Sequence, residues 1–103
     1  MKFELKSAVI PLIAVNIIFF LLQTALPAFT ASFMLISEDV FSRPWILLTS
    51  MFLHGSVSHI FLNMYVLLLF GPLLEQRIGA KRFLAIYLLS GIFAAFLSSF
   101  FYE

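Results

Sequence analysis

The chain has 103 residues, 63% of them hydrophobic and 11% charged, with a formal net charge of +1 and no cysteine. Soluble globular domains are about half apolar and a quarter charged, so this composition, with a mean hydropathy of +1.12, marks an integral membrane protein. It leaves no disulfide, zinc-thiolate or cysteine-nucleophile chemistry to consider, and a near-neutral balance without a basic run gives no support to a nucleic-acid partner.

Three apolar segments lie between clusters of charge. The first span is expected over about residues 7–36, a charge-free run of roughly 30 residues where ~20 suffice to cross a bilayer. Pro27 offers a kink or a change of helix within it. The run is too long for a secretory signal, whose apolar region is ~7–15 residues. An embedded loop is expected over about 37–57. In it Ser42-Arg43-Pro44 reads as an N-cap followed by a first-turn proline. The apolar stretch Trp45 to Leu53 is too short to span and reads as interfacial, with Trp45 near the headgroups.

The second span is expected over about 58–78, closing on Gly79 in the left-handed position that ends helices. Gly71-Pro72 predicts a bend, because proline has no N–H and frees the carbonyl of Leu68. The third span is expected over about 83–102. Small residues recur at Ser90, Ala94 and Ser98 and at Gly91, Ala95 and Ser99, a face on which helix backbones approach closely. Lys2 and Lys6 precede the first span, and Arg77, Lys81 and Arg82 join the second to the third, so the positive-inside rule predicts a multi-pass cell-membrane protein with a cytoplasmic N-terminus. Glu103 then falls on the opposite side.

The stretch from His54 to Asn63 brings two imidazoles and a carboxamide into apolar sequence. Polar side chains in lipid are costly and are functional candidates. His59 and Asn63 are one turn apart on one helix face, so their N–H groups are expected to point into one cavity. His54 lies outside that stripe, with Gly55, Ser56 and Ser58 supplying turn and N-cap chemistry. Three readings remain open for these side chains: hydrogen bonding to a neighbouring helix, neutral donors of an oxyanion hole, or metal ligation. Against the last, His54 and His59 stand ~140° apart around a helix and no thiol or placed carboxylate joins them. Neither metal nor other cofactor is expected, and a haem or quinone subunit is a distant alternative. Glu75 opposes the dipole at the end of the second span and needs another reason to be there, with a hydrogen-bonded end residue favoured over proton handling. Ser90 reads as packing rather than as a nucleophile, since no base is in reach.

Trp45, the run Thr49-Ser50-Met51-Phe52-Leu53-His54-Gly55, His59, Asn63-Met64, Phe70-Gly71-Pro72 with Glu75 and Gly79, Arg82-Phe83, and Tyr87 with Ser90-Gly91 together resemble the rhomboid intramembrane serine proteases. The resemblance implies an all-α membrane fold, three transmembrane helices with an interfacial loop after the first, like the N-terminal half of a six-helix bundle. It implies that His59 and Asn63 form an oxyanion hole and that His54, Gly55 and Glu75 are structural near the site. In this family the nucleophile is a serine in Gly-x-Ser-Gly on the fourth helix and the base a histidine on the sixth. The 103 residues contain neither: Leu88 stands two before Ser90, and no histidine follows His59. The implied function is a serine endopeptidase acting on transmembrane protein substrates in the bilayer, with this chain a part that is inactive without the remaining helices of the fold. The alternative is a non-catalytic rhomboid-like protein that binds transmembrane clients.

Overall fold

The computed structural model describes residues 6–101. The expectations that rest on Lys2, Tyr102 and Glu103 lie outside these residues. Every regular element described is helical: α1 (Val9–Ala25), α2 (Pro27–Phe33), a 3-10 turn at Ser37–Asp39, α3 (Ile46–Thr49) continued by a 3-10 turn at Ser50–Phe52, α4 (Val57–Ile78) and α5 (Ala80–Ser98).

The expected first span is two helices. Pro27 forces the residue before it out of the helical region, and Leu26 is extended, with φ −120° and ψ 108°. Leu26 closes α1 through its N–H to Leu22 O at 2.9 Å, and Pro27 opens α2. The 17 residues of α1 measure about 25 Å, short of the ~30 Å hydrocarbon core. Among the described residues two helices, α4 and α5, are long and apolar enough to cross a membrane. α2 then folds against α1 through aromatic edges, Phe19 to Phe29 at 5.4 Å between ring centroids.

The loop departs from the expected cap. The Ser42 hydroxyl donates back to Asp39 O at 3.2 Å, Arg43 pairs with Asp39 and also donates to Ser32 O, and α3 starts only at Ile46 without a side-chain cap. Because the Asp39 carbonyl captures the hydroxyl, Ser42 closes a turn instead of opening a helix. Thr49 ties the loop to the end of α2, donating to Phe33 O at 2.8 Å.

Ser56 caps α4 as its sequence predicts, its Oγ accepting from the backbone N–H of His59 at 3.2 Å. α4 runs unbroken through Gly71-Pro72. Gly71 is buried where α1, α4 and α5 meet, and a Cβ there would stand 3.0 Å from Val9 Cγ2 and 3.4 Å from Phe83 Cζ. Around it Ala8, Val9, Leu12, Phe52, Leu67 and Phe83 form the core. Gly79 joins α4 to α5 at φ 89°, but its ψ of 159° is extended rather than left-handed helical, a conformation reserved for glycine. α5 starts three residues before the expected span, since Ala80, Lys81 and Arg82 are helical though not apolar throughout. The outward faces of α4 and α5 carry exposed Phe61, Phe70, Leu89 and Phe93, the inverse of a soluble fold.

Candidate functional site

His54 and His59 meet at the junction between the loop and α4. Their rings stand edge-on, 5.2 Å between centroids with an interplanar angle of 76°. His54 is buried, at 5% relative exposure, and its Nδ1 has no hydrogen-bond partner among the described residues. Burial, followed by electrostatic repulsion from the neighbouring His59 imidazole, lowers the His54 pKa below 6.5. Its backbone is held from α1: Gln23 Oε1 accepts from His54 N–H at 2.9 Å, and Gln23 Nε2 donates to His54 O at 3.1 Å.

His59 and Asn63 are both exposed, but they do not line one cavity. His59 borders an open cavity of about 790 Å³ with Gln23, Thr30, Met51, His54 and Gly91. Asn63 borders a second, of about 490 Å³, with Asn16, Met51, His54 and Tyr87. His54 and Met51 line both and form the wall between them. The two α4 side chains are about 5–6 Å apart, one helical turn, yet each borders a different one of these cavities.

The other candidates are scattered. Glu75 lies about 24 Å along α4 from His59 at 1.5 Å per residue, away from the histidine pair. Its Oε1 accepts from Ser7 Oγ at 2.9 Å and its Oε2 from the Ala8 N–H at 2.6 Å. The N-cap residue of α1, Ala8, makes no side-chain cap bond, so a carboxylate at the unfavourable end of α4 serves the favourable end of α1. Gly55 is exposed with nothing within 4 Å of a built Cβ, and no steric demand for glycine is visible there. Ser90 is exposed and borders a separate apolar cavity with Leu47 and Phe93, away from the histidines. It is Gly91 that faces the loop, where a Cβ would collide with Met51 Sδ and Cε. Among the described residues no three metal-ligating side chains gather.

Sequence reasoning missed Asn16 and Gln23. Asn16 is fully buried on α1, its Nδ2 donating to Leu12 O at 2.7 Å and, more weakly, to Tyr87 Oη at 3.5 Å. These are the two carboxamides of the first apolar run. The rule that singled out His59 and Asn63, that polar groups in apolar helices need a reason, applies to them equally.

Among the described residues the fold is all-helical, and two of its helices are long and apolar enough to cross a bilayer, which fits a membrane helical protein. Residues 42–103 match the Rhomboid domain family. The chain is 32% identical over 108 residues to Rhomboid-like protease 1 of Toxoplasma gondii, covering 94% of this chain and 37% of that protein. It is 41% identical over 62 residues to RHOMBOID-like protein 6, mitochondrial, of Arabidopsis thaliana, 60% of this chain and 20% of that protein. It is also 44% identical over 48 residues to Inactive RHOMBOID-like protein 8 of the same plant, 47% of this chain and 14% of that protein. No solved structure matches it significantly. The chain belongs to the rhomboid family, and it spans well under half the length of these relatives.

Proposed function

We propose that this chain is the oxyanion-binding part of a rhomboid serine endopeptidase that hydrolyses peptide bonds of membrane proteins in or beside their transmembrane segments. The observation that carries this reading is the placement of His59: exposed at the first turn of α4, bordering the larger cavity, and braced edge-on by a buried His54. An imidazole N–H of His59 and the Asn63 carboxamide are hydrogen-bond donors suited to stabilising an oxyanion that forms when a serine attacks a substrate carbonyl. Other helices of the same fold supply the serine and its base histidine, and their arrival closes the two cavities into one site around His59 and Asn63. In this reading the first apolar run, residues 7–36, crosses a cell membrane as α4 and α5 do, with the N-terminus cytoplasmic, and residues 37–57 lie in the interface.

The similarity to a relative named inactive, together with the separate cavities of His59 and Asn63, favours a second reading: a non-catalytic protein that binds transmembrane clients. Cleavage separates the two. The polypeptide expressed from its complete reading frame, reconstituted in liposomes with a transmembrane substrate, is expected to cleave it and to be blocked by a serine-directed phosphonate. Binding of the substrate without cleavage supports the client-binding reading and contradicts the protease. The 103 residues alone are expected to show no turnover, having donors but no activated nucleophile.

A further inference from the structure

Gln23 lies near the C-terminal end of α1, with its carboxamide turned onto the loop that precedes α4. It makes three hydrogen bonds: Oε1 accepts from His54 N–H at 2.9 Å, Nε2 donates to His54 O at 3.1 Å, and Nε2 donates to Thr30 Oγ1 at 3.2 Å. Two of them pair the side-chain amide with the backbone N–H and C=O of one residue, as a neighbouring strand would in a sheet. Only a primary carboxamide presents an acceptor and two donors in this arrangement. Leaving that peptide N–H and C=O unpaired in partly buried surroundings is costly, so the loop takes the position that Gln23 sets. The His54 ring is fixed with its backbone, and the His59 ring packs edge-on against it at 5.2 Å.

We propose that Gln23 is a positioning residue for the reaction: by clamping the backbone of residue 54, it sets through the His54 ring the orientation in which His59 meets the substrate. The inference rests on the reading of His59 as an oxyanion donor. A side chain that merely stabilises the bundle changes the folded fraction. One that aims a catalytic group changes kcat at nearly constant KM, because a displacement of about 1 Å far from the bond being broken can cost ~10²-fold in rate.

The test uses the polypeptide from its complete reading frame in liposomes, with a transmembrane substrate. Gln23→Met keeps the length and removes all three bonds. Gln23→Glu keeps the acceptor for the His54 N–H alone. Thr24→Val is the control, altering the neighbouring exposed hydroxyl that donates to Leu21 O within its own helix. In Gln23→Met, kcat is expected to fall ~10²-fold with KM within about twofold. The imidazole NMR signals of His59, identified by their loss in His59→Ala, are expected to move. Gln23→Glu is expected to retain more of the turnover, and Thr24→Val all of it. Should Gln23→Met not fold, Gln23→Glu carries the same comparison. Unchanged kcat in folded Gln23→Met, a loss that only tracks the unfolded fraction with His59 signals unmoved, or failure of both Gln23 variants to fold overturns the proposal. Loss of turnover in folded His59→Ala with none in Gln23→Met overturns this inference alone, whereas undiminished turnover in folded His59→Ala overturns the functional reading beneath it as well.

Discussion

Glu75 of α4 accepts the backbone N–H of Ala8 at 2.6 Å, so the last turn of one helix caps the first turn of another. Its second oxygen takes the Ser7 hydroxyl at 2.9 Å. The pair joins residues far apart in sequence at the end of the bundle remote from the histidines, and it holds α1 against α4 close to the Gly71 crossing. Replacing Glu75 by Ala removes a charge-assisted cap and is expected to destabilise the fold by about 1–3 kcal/mol. Glu75→Gln retains an acceptor for Ala8 and is expected to lose less than half of that. Reversible unfolding in mixed micelles measures both. Equal losses for Ala and Gln would contradict the capping account.

Asn16 poses the opposite case. Its amide nitrogen is bonded within α1, but its Oδ1 is buried with no partner among the described residues. Replacing a buried group that leaves an acceptor unpaired by an apolar group of similar shape is neutral or stabilising. Asn16→Leu is therefore expected to leave the unfolding free energy unchanged or to raise it by up to about 2 kcal/mol. A loss of similar size would show that Oδ1 has a partner in the folded protein.

His54 gives the fold a dependence on pH. Burial and then electrostatic repulsion from the neighbouring His59 imidazole hold its folded pKa below 6.5. As pH falls through 6.5 the unfolded chain takes up a proton before the folded one, so stability is full above that pH and declines below it until the folded group also charges. The slope in that window is at most about 1.4 kcal/mol per pH unit. His54→Asn is expected to flatten the unfolding free energy between pH 7.5 and 5.5, relative to the parent. An unaltered slope would mean that His54 is not the group responsible.

Local chemistry made several elements legible in the sequence. The Ser56 cap, the helix boundary at Pro27 and the positive φ at Gly79 each depend on one or two residues whose backbone preferences are strong. What was not legible depends on side chains from distant segments. Ser42 has the composition of an N-cap, yet its hydroxyl turns back to Asp39. His59 and Asn63 share a helix face, but the cavities they border are shaped by Met51 and His54, which come from the preceding loop and line both. Glu75 looked misplaced on its own helix because the dipole it serves belongs to α1. Asn16 and Gln23 were visible as letters, but their targets at Leu12, Tyr87 and His54 have no signature in sequence.

The most direct measurement of the central claim is the separate determination of kcat and KM for His59→Ala and Asn63→Ala in the polypeptide from its complete reading frame, each first shown to be folded. Removing one oxyanion donor acts chiefly in the transition state. Each variant is predicted to lose ~10²–10³-fold in kcat, or roughly 3–4 kcal/mol, with little change in KM. Undiminished kcat in both folded variants would contradict the assignment of these two side chains to the oxyanion.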